Sequence, residues 1–384
     1  MATKQRSVFQ EVGGDAPAER PVARPGGIGQ GRGDRGAVRL WLLALFALLV
    51  VMIAVGGLTR LTGSGLSITE WAPVTGAIPP LSQAAWEAEF EAYRQIPQYQ
   101  LQNRGMSLAE FQTIYWWEWG HRQLGRVIGL VWAVGFAVFY LTRKIPPGWT
   151  GRLLLLGALG GLQGLIGWWM VASGLEEGML SVASYRLAIH LGLAFAILGL
   201  IAWYALRLGR SEAALIQARR GREDRLFRVT TGLMHFTFLQ IVLGALVAGI
   251  DAGRSYNDWP LMGGQVFPPN AFDLVPWWRN LFENAGLVQF VHRVSGYLLA
   301  AFAVVVWLRG RRSPVASTRA AYGLMIGALA LQIVLGIVTV LTVAPWHWAI
   351  LHQLGAVALW VLVIRARFLA GHPLPQSLRG AATA

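Results

Sequence analysis

Eight apolar runs of roughly 20 residues constrain this chain before any other feature does, near 38–57, 119–141, 152–172, 185–206, 229–249, 287–308, 320–342 and 348–367. A helix of that length crosses a hydrocarbon core of ~30 Å. The fold class is therefore an all-α integral membrane protein with eight transmembrane helices. Only 14% of the residues are charged, where an ordinary soluble domain is nearer a quarter.

A net charge of +14 would suit a nucleic-acid binder, but its distribution argues for a membrane instead. With the N-terminus inside, the cytoplasmic segments hold 24 of the 33 Lys and Arg, and the outer segments hold 12 of the 19 acids. That asymmetry is the positive-inside bias; it predicts both termini in the cytoplasm and a lipid bilayer, with no nucleic acid, as partner. The Gly-, Pro- and Arg-rich start has no apolar periodicity and reads as a disordered tail. Its Glu11, Asp15, Glu19 and Asp34 oppose reading it as a transit peptide, which favours a bacterial inner (cytoplasmic) membrane. The chain has no cysteine, so disulfides, thiolate metal sites and thioether-linked haem are excluded.

The chain is also a duplication. His121-Arg122 returns as His292-Arg293, 171 residues later, and His190 returns as His352, 162 later. The phrase Leu162-Gln163-x-x-x-Gly167 recurs at Leu331-Gln332-x-x-x-Gly336 and again at Leu239-Gln240-x-x-x-Gly244. With four spans in each half, these are parallel repeats, and the expected architecture is two pseudo-symmetric four-helix bundles. The boundaries read as a tail at 1–36, an N-terminal bundle at 37–208, a basic linker at 209–228, a C-terminal bundle at 229–368 and a tail at 369–384. Within the first outer loop, Gln83–Arg94 and Leu108–Trp117 read either as short amphipathic helices on the membrane surface or as a small extramembrane cap.

Four histidines, His121, His190, His292 and His352, lie near the outer mouths of the even-numbered spans, two in each half. Ionisable groups at such places usually face a bundle interior and mark function. Two imidazoles at one depth on helices running the same way suit one metal clamped from both sides. At i+4 from each stands a small residue, Gly125, Ala194, Gly296 or Ala356, which leaves room for a flat group against the helix or for close helix approach. With no thiol and few acids in reach, bis-histidine haem is a better reading than structural zinc. Arg122 and Arg293 are placed either to bind haem propionates or to snorkel to lipid phosphate; Arg126 is a further candidate cofactor contact. His235, His347 and His372 have no repeat partner and read as ordinary structural residues. The halves differ at one point: Glu118-x-x-His121 becomes Gln289-x-x-His292. Glutamine cannot exchange a proton, so chemistry is expected in the first half, with Glu118 in proton transfer or charge stabilisation.

At these residues the chain resembles the haem A synthase family, in its cysteine-free alphaproteobacterial and mitochondrial branch. The resemblance covers about 38–367 and rests on Gly-Gly-Leu-Thr-Arg-Leu-Thr-Gly-Ser-Gly-Leu-Ser (56–67), Trp71-x-Pro73-Val-Thr-Gly76, Glu118-x-x-His121-Arg122, His292-Arg293, His190 and His352. It implies oxidation of the C8 methyl group of haem O to a formyl group, giving haem A for cytochrome c oxidase. It implies substrate haem at His121 and His190 with Glu118 catalytic, and a resident haem b at His292 and His352. It further implies an external electron donor and access to haem O synthase, and leaves a homo-oligomer open. Two other readings stand beside it: a di-haem b-type cytochrome relaying electrons from quinol, and a haem carrier without chemistry.

Overall fold

The computed structural model describes residues 34–375. The segment read as an N-terminal tail thus lies almost wholly outside the described residues, as does the end of the C-terminal tail. Eight long helices have the length and composition to cross a membrane: α1 (Arg35–Leu61), α4 (Leu108–Leu141), α5 (Thr150–Gly174), α6 (Ser184–Leu208), α8 (Asp224–Gly249), α10 (Ala285–Gly310), α11 (Ala316–Leu341) and α12 (Trp346–Gly371). Shorter helices fill the connections: α2 (Gln83–Arg94), α3 (Pro97–Leu101), α7 (Glu212–Arg219) and α9 (Asn280–Glu283). No strand occurs among the described residues. The chain is a multi-pass membrane protein.

The helices begin and end where local chemistry dictates. Asp34 accepts the Ala37 amide and starts α1 inside the stretch read as tail. That helix stops at Thr62, whose amide turns back onto Leu58 and Arg60 before Gly63 takes a φ of +67°. Ser107 and Glu110 form a reciprocal capping box, and from it α4 runs unbroken for 34 residues. Leu108–Trp117 is therefore not a separate surface helix: it is the first third of the helix that enters the membrane. The stretch read as a basic linker likewise contains α7, capped by Ser211.

In the first half α1 packs on α4, α4 on α5, α5 on α6 and α6 back on α1; in the second, α8, α10, α11 and α12 close the same ring. The halves meet along α6–α8, α6–α12 and α1–α12. Apolar residues such as Leu42, Leu49, Leu153 and Leu198 fill the first ring toward its basic end, and Leu233, Leu299, Met325 and Val363 fill the second. Polar stitches cross the seam. The Gln353 amide of α12 donates to the Ile53 carbonyl of α1 at 2.6 Å and lies against Gly57, where a Cβ would sit 2.5 Å from it. Trp360 donates to the Phe195 carbonyl at 2.9 Å, and Arg60 pairs with Asp251 at 2.8 Å. At the end carrying the long loops, α2, α3 and the start of α4 form an aromatic cap over the first half, with Phe90 stacked on Phe111 and Trp86 edge-on to Tyr115.

Candidate functional site

Each of the four histidines rests on a glycine of the preceding long helix. A Cβ on Gly56 would come within 2.7 Å of the His121 Cε1, and one on Gly167 within 2.9 Å of that of His190. In the second half the same test gives 3.0 Å between Gly244 and His292, and 2.9 Å between Gly336 and His352. Side chains there would displace the imidazoles, so the glycines are seats for the rings. One turn earlier on three of these helices stands a glutamine. Gln163, Gln240 and Gln332 each donate their side-chain amide to the main-chain carbonyl of the facing histidine, at 2.9 Å in all three cases. On α1 the corresponding residue is Met52.

The imidazoles pair as their positions in the repeat require. His121 and His190 lie near enough for the charge of one to act on the other, and so do His292 and His352. The Nδ1 atoms of His121 and His352 are buried without a protein partner, a state that native structures seldom leave unused. No group of three or more His, Cys, Asp or Glu able to hold a metal ion occurs among the described residues. A bare zinc ion, which takes about four ligands, is poorly served by such a pair. A haem iron brings its macrocycle nitrogens with it and asks the protein for axial ligands only. The paired, glycine-seated histidines fit that group.

Glu118 is buried, 3% exposed, one turn above His121. Its Oε2 accepts the Ser67 hydroxyl at 2.8 Å and the Ile68 amide at 2.9 Å. Its Oε1 accepts both the Nε and an Nη of Arg122, at 3.1 and 2.7 Å. The same guanidinium donates to the carbonyls of Ile68 and Glu70. A buried carboxylate is tolerated here because it is ion-paired and bonded on both oxygens. Among these partners only the Ser67 hydroxyl can both give and take a proton.

The second half repeats the arginine and drops the anion. Arg293 donates to the carbonyls of Tyr256, Asp258 and Leu261, and Gln289 donates to the Tyr256 carbonyl at 2.9 Å. The Gln289 Oε1 is buried with no partner. In both halves the arginine expected to meet propionates or lipid is occupied with the loop that follows the half's first helix. Arg126 behaves likewise, donating to the carbonyls of Ala72 and Pro73 at 2.9 Å each and lying against Gly76. A small hollow of about 40 Å³ adjoins Arg122, bounded by Glu70, Trp71, Trp168 and Val171.

Gly125 and Gly296 face the preceding helix. A Cβ on Gly125 would meet the Met52 methyl at 3.4 Å, and one on Gly296 the Gln240 amide at 3.3 Å. They permit close helix approach at the level of the histidines. Of the remaining histidines, His347 lies edge-on to Trp346 in the first turn of α12, and His372 stacks on Phe368 at the opposite end of that helix. The sequence reading missed the roles of Gly56, Ser67 and the three glutamines. The recurring Leu-Gln-x-x-x-Gly phrase carries that signal, since its Gln bonds the histidine carbonyl and its Gly is the seat.

Residues 39–364 match the family model described as cytochrome oxidase assembly protein. A protein named heme A synthase from Ruegeria sp. (strain TM1040) is 66% identical over 378 residues, covering 98% of this chain and 99% of the relative. Proteins of the same name from Paracoccus denitrificans (strain Pd 1222) and Cereibacter sphaeroides (strain ATCC 17029 / ATH 2.4.9) are 63% and 60% identical, the first covering 98% and the second 99% of this chain, and each 99% of the relative.

Proposed function

The chain belongs to the cytochrome oxidase assembly protein family, and from that premise we propose that it is an oxidoreductase converting haem O to haem A. Methyl to formyl is a four-electron oxidation. In two successive hydroxylations the C8 methyl group becomes a gem-diol, which loses water to leave a formyl group. Each hydroxylation takes one oxygen atom from dioxygen, while the other leaves as water with two electrons and two protons from an external donor. The observation that carries this reading is the buried Glu118 beside a glycine-seated histidine pair, set against Gln289 at the equivalent place. An electron relay would use two equivalent sites and gives Glu118 no task.

The substrate haem is assigned to the first half, with His121 and His190 as its axial ligands and Glu118 as the acid–base or charge-stabilising group. Arg122 holds that carboxyl group in place with two hydrogen bonds, and Ser67 links it to the loop. Gly125 lets α1 and α4 close around the site, and Arg126 secures the loop at 72–76. In the second half His292 and His352 fit a resident haem b, with Arg293 and Gly296 playing the same architectural parts. Such a haem supplies one-electron redox chemistry when bound; the residues around it offer no proton carrier at Gln289. The functional units, expected at 37–208 and 229–368, take as their bounds the helices that run from Arg35 to Leu208 and from Asp224 to Gly371, with α7 in the connection between them.

The reaction calls for an external electron donor and for delivery of haem O, a hydrophobic substrate best received from haem O synthase within the bilayer. The asymmetry of Lys and Arg supports a bacterial inner membrane with both termini cytoplasmic, and the exposed apolar faces leave room for a homo-oligomer. Co-expression with haem O synthase, followed by pigment extraction and chromatography, tests the reading. Wild type should accumulate haem A; Glu118→Gln should retain haem yet lose the formyl product by about 100-fold or more, the usual worth of a positioned acid–base group. Haem A formed at the normal rate by that variant would remove Glu118 from the chemistry.

A further inference from the structure

Resting on the reading above, a second position separates the first site from the other. Four helix pairs, α1/α4, α5/α6, α8/α10 and α11/α12, carry the same device: a glycine that seats the imidazole and, four residues before it, a side chain facing the helix that bears the histidine. In three pairs that side chain is glutamine, and its bond to the histidine carbonyl is 2.9 Å each time. A primary amide between apolar helices is costly unless it is bonded, and its recurrence at one register marks it as a staple. It ties the backbone of the ligand residue to the neighbouring helix at the ligand's own height. Gln240 is secured further by the Ser295 hydroxyl, which donates to its Oε1.

On α1 the staple is replaced by Met52. Its methyl faces Gly125, 3.4 Å from where a Cβ there would sit, as the Gln240 amide faces Gly296, 3.3 Å from the corresponding point, so the volume is kept and the hydrogen bond removed. Methionine is unbranched and adaptable, a wall that yields. The ties between α1 and α4 fall away from the ligand: Thr59 to the Trp117 carbonyl at 3.3 Å and Trp41 to the Val131 carbonyl at 3.0 Å. Among the four site histidines only His121 has no glutamine on its carbonyl.

We propose that Met52 makes His121 the yielding ligand, so that the first site holds an exchangeable haem between one stapled and one unstapled histidine, while the second site, stapled on both sides, retains its haem. A site that must release a product and accept a fresh substrate needs such a ligand; a resident cofactor needs the opposite.

The test uses full-length protein in nanodiscs, loaded with haem O and mixed with excess apomyoglobin as scavenger. Chromatography of the haem remaining on the protein counts haem O and A for the first site and haem b for the second. Met52→Gln should slow loss of haem O and A by about fivefold, the worth of one net hydrogen bond, and leave haem b unchanged. Gln240→Met should speed loss of haem b by a similar factor. If Gln240→Met does not fold, Met52→Gln, which adds a bond rather than removing one, still decides. Unchanged exchange of haem O and A in Met52→Gln, with haem A still produced, overturns the staple alone. Wild-type protein that holds haem b at both sites and makes no haem A overturns the first site's substrate role, and this proposal with it.

Discussion

At the mouth of each half an arginine clasps the loop that follows the half's first helix, but only one half gives that arginine an anion to hold. Arg122 reaches the carbonyls of residues 68 and 70, and Arg293 those of 256, 258 and 261. The clasp is common architecture, so the arginine by itself says nothing about chemistry. The difference lies in the partner one turn before it, Glu118 in the first half and Gln289 in the second. A cationic motif that occurs once in each half is thus best interpreted by what the two halves do not share.

Removing the arginines should separate the two halves most clearly. Arg122→Ala leaves the buried Glu118 unpaired and should cost ~3–5 kcal/mol. Arg293→Ala strands only carbonyls and should cost ~1–3 kcal/mol. Thermal unfolding in detergent measures both, and Glu118→Gln combined with Arg122→Ala should recover part of the first loss. Equal costs in the two halves would mean that Glu118 carries no charge needing compensation.

The glycine seats come next. Gly56→Ala and Gly244→Ala each force a methyl against an imidazole and should cost ~1–3 kcal/mol by overpacking. Pigment analysis should show the first depleting haem O and A, and the second depleting haem b. Depletion of both pigments by either variant would show that the halves do not bind independently. Across the seam, Gln353→Leu removes one bond to the Ile53 carbonyl and should cost ~1 kcal/mol, read as a lowered midpoint of unfolding with both pigments in place.

The smallest effects are expected in the loops, and their signs are opposite. Glu89 is held above the usual carboxylate range, first by burial and then by the nearby Glu70. A raised acid favours folding while protonated and disfavours it as pH climbs through the raised value. Glu89→Gln should therefore be slightly more stable than wild type near neutral pH and equal to it below the ordinary glutamate range. Asp258 is held below its usual range by the amides of Gly264 and then Gly263. Its contribution is present above the ordinary aspartate range and is lost as pH falls through the lowered value, so Asp258→Asn should flatten the acid limb of a stability–pH curve. A curve unchanged by either substitution would show that these loops do not contribute to global unfolding.

The spans, their number and the histidines were legible because hydropathy and a rare ionisable residue in an apolar run are strong local signals. The boundary of α4 was not, although its capping box at Ser107 and Glu110 stands in the sequence. Polarity at the amphipathic start of that helix marks where the bilayer ends, which is not where the helix ends. The glutamine staples were visible as a phrase, but their target is a main-chain carbonyl on another helix, and no side-chain pattern announces a backbone acceptor. For the same reason the partners of Arg122, Arg126 and Arg293 were out of reach: loop carbonyls carry no sequence identity.

The unbroken course of α4 has a mechanical consequence. Phe111 and Tyr115, gripped by the aromatic cap, belong to the same rod as Glu118, His121 and Arg122. At 1.5 Å per residue the rod is about 51 Å long, and no break separates the capped end from the site. The cap over the first half is therefore a lever rather than a lid. Any partner that pushes on it tilts the imidazole and the carboxylate together.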